Sequence, residues 1–228
     1  MEILYEDNHL IAVNKSSSEL VQGDETGDKS LDISIKEYLK EKYNKPGNVF
    51  LGVVHRLDRP VSGVVVFAKT SKALSRLNRL FRDQNIRKIY WAIVKDKPVP
   101  SSGELNHYLT RNTRQNKSYA HDQQVPGSKL GRLAYRMLLS LKNYHLLEID
   151  LFTGRHHQIR CQLAKINCPV KGDLKYGFPR SNPDAGISLH AREIGFTHPV
   201  SQKELILTAS PPREKLWSLC LEEMMGKH

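Results

Sequence analysis

The 228 residues carry 35 Lys and Arg against 24 Asp and Glu, a formal net charge of +11, so the surface attracts polyanions and nucleic acid is the first partner to consider. Three cysteines, Cys161, Cys168 and Cys220, form no C-x-x-C pair; their odd number argues against a disulfide framework or a zinc knuckle and suits a reducing compartment. No window has the length of a membrane span, and the opening MEILYEDNHLIAVNK lacks the apolar stretch of a secretory leader, so the expectation is a soluble, cytoplasmic protein.

Two short strands are predicted first, Ile3 to Tyr5 and Leu10 to Val13, separated by the polar turn Glu6-Asp7-Asn8-His9. A loop rich in Ser, Gly, Asp and Thr over 16 to 30 leads into a helix, because Leu31, Ile35, Tyr38, Leu39 and Tyr43 recur at helical spacing up to Pro46-Gly47. Apolar runs at Val49 to Val54 and Val64 to Ala68 predict buried strands that bracket the charged segment His55 to Ser62. The next helix is capped near Thr70 or Ser71, with Leu74, Leu77 and Phe81 on one face and Lys72, Arg76 and Arg79 on another. A strand follows at Ile89 to Val94. Residues 111 to 132 are polar without periodic apolar positions and predict an exposed, mobile connection. Strands are expected near 134 to 141 and 145 to 151. Ile159, Leu163 and Ile166 then predict a helix ending near Asn167 and Pro169, which places Arg155 at its N-terminus. The tail contains a strand at 204 to 208 and a helix from Pro212 to about Met224, with proline in the first turn. Without regular βαβ alternation, the pattern predicts an α+β fold on a mixed sheet, in a single domain over 1 to 228.

Candidate chemistry centres on Asp58, a carboxylate among His55, Arg56 and Arg59 in a turn between two buried strands. Such a group can be a nucleophile, a general base or half of a structural ion pair. The stretch from Lys69 to Lys97 holds nine Lys or Arg against Asp83 and Asp96, a balance of +7. Within it Lys72, Arg76 and Arg79 form a single-sign stripe suited to tracking phosphates, where mixed charge would signal an ordinary solvated face. His157 and Cys161 share an i, i+4 face near His156, but no fourth ligand accompanies them at motif spacing, so no metal is expected. No Gly-rich phosphate loop is present, so no nucleotide cofactor is expected either.

The run HRLDRPVSG at 55 to 63 resembles the catalytic motif of the RluA-type pseudouridine synthases, and three further blocks match that family in order: RKIYWAIV at 87 to 94, TGRHHQIRCQLAKINCPVKGDLKYG at 153 to 177 and LHAREIGFTHP at 189 to 199. The resemblance covers essentially the whole chain. It implies a largely antiparallel mixed sheet in two halves flanked by helices, with a central active-site cleft. It also implies cofactor-free, metal-free isomerisation of uridine in structured RNA, either rRNA or tRNA; a monomer without membrane contact is expected. Asp58 is then the catalytic carboxylate, acting as nucleophile at the sugar or as the base that removes a ribose proton. Arg155 corresponds to the arginine that pairs with it, Tyr90 to the tyrosine against the target base, and Arg56 to an arginine that fills the space left when the base is extruded. His190 and His198 fit the family pattern as structural residues. The chain departs from the family at Lys15-Ser16-Ser17-Ser18-Glu19-Leu20, where many relatives read K-P-x-G-L, and no S4 RNA-binding domain is expected before the catalytic part. The competing readings are a non-catalytic RNA-binding or RNA-folding protein on the same fold and an unrelated hydrolase using Asp58 with His55; intact Asp58, Tyr90 and Arg155 favour the enzyme.

Overall fold

The computed structural model describes residues 1–23 and 27–226; part of the expected loop over 16 to 30, residues 24–26, lies outside them. Eleven strands form one sheet: β1 (Glu2–Glu6), β2 (Leu10–Lys15), β3 (Gly52–Val53), β4 (Ser62–Ala68), β5 (Arg87–Val94), β6 (Ser102–Asn112), β7 (Lys117–His121), β8 (Lys129–Ser140), β9 (His145–Leu151), β10 (Leu189–Thr197) and β11 (Glu204–Thr208). Their spatial order is β1-β2-β4-β10-β5-β9-β8-β6-β7, with β3 on β4 and β11 on β10. Helices α1 (Leu31–Lys42), α2 (Ser71–Arg82), α3 (Gln158–Lys165) and α4 (Lys215–Met225) flank it. The α+β class, the mixed sheet and its antiparallel bias are as the sequence predicts.

The apolar runs are legible because their strands are central. Every residue of β4 is buried, which yields a continuous hydrophobic segment instead of an alternating one. Thr70 caps α2 by accepting the Ala73 amide, and Ala73 and Leu77 supply the buried face of that helix.

The two halves meet where β4 and β10 pair in parallel, Ser62 opposite His190 and Gly63 opposite Ala191. Gly63 has φ +120°, and a Cβ there would lie 2.3 Å from the Ala191 carbonyl oxygen, so only glycine fits. The Ser62 hydroxyl donates to His190 Nδ1 at 2.9 Å and His190 Nε2–H to the Ala209 carbonyl at 3.0 Å, stitching β4 to β10 and the chain beyond β11. His198 is likewise structural, its Nδ1 accepting the Val200 and Ser201 amides.

Several expectations need correction. Residues 111 to 132 are not one loose connection: they hold the end of β6, all of β7 and the start of β8. The signal is weak because β7 buries the small residue Ser118 while Lys117, Tyr119 and His121 stay at least partly accessible. The run Val49 to Val54 forms only the two-residue β3, and Phe50 is exposed. Pro212 precedes Glu214, the N-cap of α4, and is not in its first turn.

Candidate active site

The segment between β3 and β4 carries the charged motif, and side chains on both sides fix its path. The Val61 amide donates to the Asp58 carbonyl at 3.0 Å, closing a tight turn. Lys15, buried at the end of β2, donates from Nζ to the carbonyls of Ser16, Glu19 and Arg59. Ser18 adopts φ 71° and exchanges hydrogen bonds with Arg59. The departure at residues 15 to 20 is thereby accommodated: serine takes a left-handed conformation at a cost of roughly 1–2 kcal/mol, and the lysine ammonium ties that turn to the one bearing Asp58.

His55 is a structural acceptor and not a cationic neighbour of Asp58. Its Nε2 receives the Val66 amide at 3.0 Å and its ring stacks on Phe81. Burial, then Lys88, pushes its pKa down to about 4. The ring nitrogen that a hydrolase would need as a base is occupied by the backbone.

Asp58 is held through one oxygen. Oδ2 lies 3.1 Å from Arg160 Nη1 and 3.4 Å from His157 Nε2; among the described residues Oδ1 takes no hydrogen bond. Arg160 is itself buried and clamped by Asp173 through Nε at 2.7 Å and Nη2 at 2.9 Å. Burial opposes the guanidinium charge, but Asp173 and Asp58 outweigh it and raise its pKa. The result is a buried carboxylate, a bidentate arginine and a half-exposed carboxylate in series.

The arginine paired with Asp58 is therefore Arg160, and the expected pairing through Arg155 is corrected. Arg155 lies three residues before α3; its guanidinium is exposed and donates from Nε to the Leu130 carbonyl at 3.0 Å. The intervening turn is fixed by Gln158, whose Oε1 accepts the Arg155 amide and the Thr153 hydroxyl, and this leaves the inward face of α3 to Arg160. The sequence did carry a signal: Arg160 sits between Ile159 and Cys161 in a helix whose first six residues are all buried, and a buried charge demands a partner.

Asp58, Arg56, Tyr90, Arg155, His157 and Arg160 line one cleft of about 120 Å³ with apolar walls from Leu57, Val61, Leu151, Ile159 and Leu189. That volume is on the scale of the roughly 150 Å³ that holds one benzene ring, so the cleft has room for at most one six-membered base. Burial, then the Asp58 charge, raises the Tyr90 phenol above its ordinary pKa, which keeps it protonated and favours a stacking face or hydrogen-bond donor over a proton-abstracting phenolate. Arg56 is exposed, and among the described residues no carboxylate lies within ion-pair distance of it.

The stripe on α2 does not enter this cleft. Arg76 and Arg79 line a separate groove beside Thr197 and Pro199, Arg76 donates to the Pro199 carbonyl, and Lys72 is exposed. His157 and Cys161 do not form a metal pair: Cys161 donates to the Gln158 carbonyl and burial pushes its thiol up to about 12.

Burial, then Arg160, pushes His157 down to about 2, and burial pushes His190 down to about 4. Unfolding releases both rings to a pKa near 6.5, so the unfolded chain binds protons that the native chain refuses. Stability is therefore expected to be full above about pH 6.5 and to fall as pH drops below it, by up to about 1.4 kcal/mol per unit for each ring. Urea midpoints at pH 7 and 5 measure this; an unmoved midpoint means the rings already carry protons when folded.

A family model described as RNA pseudouridylate synthase matches residues 9–165. The chain is 34% identical over 212 residues to the ribosomal large subunit pseudouridine synthase C of Rickettsia prowazekii, covering 92% of this chain and 68% of that one. It is 33% identical over 226 residues to the ribosomal large subunit pseudouridine synthase D of Zymomonas mobilis, covering 94% and 70%. Among solved structures, human RNA pseudouridylate synthase domain containing 4 superposes with a TM-score of 0.80 at 24% identity, covering 96% of this chain and 92% of that one; at that identity the likeness establishes the fold.

Proposed function

The chain belongs to the RNA pseudouridylate synthase family and is an isomerase acting on RNA, and from this premise we propose that it converts specific uridines of structured rRNA or tRNA to pseudouridine with Asp58 as its catalytic carboxylate. The names of its relatives favour large-subunit ribosomal RNA as the target. The observation that supports the role of Asp58 is its asymmetric tether: Oδ2 is held by a buried, bidentate-anchored arginine, while among the described residues Oδ1 takes no hydrogen bond and the residue lines the cleft.

The reaction breaks the bond from uracil N1 to ribose C1′, turns the base and rejoins it through C5. Asp58 either attacks C1′ or removes a ribose proton, and in both cases it needs a carboxylate oxygen free of the protein. A stacked uridine must first be extruded. Tyr90 offers the face against which it rests, and the exposed guanidinium of Arg56 fills the vacated space. Pseudouridine-specific mapping of rRNA and tRNA, from cells with the gene, without it, or with only Asp58→Asn, tests the proposal. Sites lost in both the deletion and the mutant establish activity and target; no lost site overturns the assignment to these RNAs.

We assign the exposed Lys72 and Arg79 to RNA backbone contact. Reversing both charges is expected to weaken RNA binding and to flatten the slope of log affinity against log salt by about 1–2. An unchanged slope would make the stripe an ordinary solvated face.

A further inference from the structure

The second group facing Asp58 Oδ2 is the His157 imidazole, with Nε2 at 3.4 Å, and its chemistry depends on which nitrogen carries the hydrogen. Tyr176 lies in the short 3-10 turn Leu174–Tyr176, in the same segment as Asp173. Its hydroxyl oxygen accepts the Ser118 amide at 2.8 Å and lies 3.0 Å from His157 Nδ1. The Ser118 partner is a backbone N–H and can only donate, so the phenolic hydrogen remains available and Nδ1 is its acceptor. A neutral imidazole that accepts at Nδ1 carries its hydrogen on Nε2, the atom 3.4 Å from Asp58 Oδ2. The opposite tautomer would aim a lone pair at the carboxylate and strand the phenolic hydrogen.

The backbone points the same way. His157 is the N-cap residue of α3 and adopts φ 51°, a left-handed conformation that costs a non-glycine residue roughly 1–3 kcal/mol and persists where the surroundings impose it. Glycine or asparagine would relieve that strain, but neither carries a ring that reaches Tyr176 and Asp58 from opposite nitrogens. His156 stacks on the same ring at 3.8 Å between centroids and limits its tilt.

We infer that Tyr176 is a positioning residue: by donating its hydroxyl to Nδ1 it locks His157 as the Nε2–H tautomer, turning a polar N–H toward Asp58 Oδ2 at 3.4 Å, beyond hydrogen-bond geometry, beside the hydrogen bond from Arg160 and leaving Oδ1 to the substrate. This rests on the reading of Asp58 as the catalytic carboxylate. One short segment thereby governs both groups facing Oδ2, Arg160 through Asp173 and His157 through Tyr176.

The test is nitrogen-15 NMR of the histidine side chains in the RNA-free protein, wild type and Tyr176→Phe, paired with steady-state kinetics on RNA. Phenylalanine keeps the ring over which Arg160 lies at 5.1 Å and removes only the hydroxyl. The expected wild-type spectrum has a protonated Nε2 and a bare Nδ1 on His157, and the variant populates Nδ1–H. The variant kcat is expected to fall about three- to ten-fold, roughly 0.6–1.4 kcal/mol for an N–H dipole turned away from the carboxylate, with KM and RNA affinity within about two-fold. A wild-type His157 protonated at Nδ1 overturns the inference without any variant, so it stays falsifiable even if Tyr176→Phe fails to fold. An unchanged kcat in a variant whose tautomer has shifted overturns it too. Because the NMR readout needs no turnover, an active Asp58→Asn would sink the catalytic assignment while leaving the tautomer result to stand or fall by itself.

Discussion

Asp58→Asn is expected to lower isomerisation by about 10³-fold or more while RNA affinity changes by only a few-fold. Asparagine preserves the shape of the side chain and still offers Arg160 an acceptor, but it supplies neither a nucleophilic oxygen nor a base. Binding draws on a basic surface far larger than one residue, so affinity is insulated from the change. Stability is insulated as well, because Arg160 retains its two bonds to Asp173. Release of tritium from RNA labelled at uridine C5 reads the chemistry directly, since C5 loses its hydrogen after the new bond to C1′ forms. Turnover within ten-fold of wild type would take Asp58 out of the mechanism.

Arg160→Met is expected to destabilise the protein by about 3–5 kcal/mol, the usual cost of breaking a buried ion pair, and to lower turnover together with stability. Asp173 is 1% exposed and would be left as an uncompensated buried carboxylate. For a chain of this size the melting temperature should drop by roughly 2–4 °C per kcal/mol. The double variant Arg160→Met with Asp173→Asn removes the orphaned charge and should recover much of the stability but not the activity, because Asp58 still lacks its arginine. Arg155→Ala, by contrast, removes an exposed side chain with one backbone contact and should leave stability within about 0.5 kcal/mol. If Arg155→Ala were the more damaging of the two, the electrostatic frame of the site would need redrawing.

Those two arginines mark where the sequence stops being legible. Local features are readable: the buried runs of β2, β4 and β5, the Thr70 cap, the amphipathic α1 and α2, and the turn bearing Asp58 all follow from patterns only a few residues long. Arg160 is not, because its partners stand on separate loops and no periodicity joins Asp58, Arg160 and Asp173. β10 was hidden for a related reason. It lies centrally yet carries Arg192 and Glu193, which do not fit a buried strand until their partners are seen: Arg192 lies 4.5 Å over the Trp91 ring and Glu193 pairs with Arg87. Tyr90 lies on β5 and lines the cleft, whereas the basic stripe lines a different groove.

The position of β10 has a consequence for how the chain becomes an enzyme during its synthesis. β4 and β5 leave the ribosome well before the strand that lies between them, so the edge of β5, and Ser62 and Gly63 of β4, stay unpaired and open to wrong partners until residues 189–197 insert. Asp58 emerges with β4, while Arg160 and Asp173 arrive only shortly before β10. Closing the sheet and completing the charge frame therefore belong to the same late, long-range step of folding. A nascent or truncated chain ending before that step carries Asp58 without the sheet that positions Arg160 beside it.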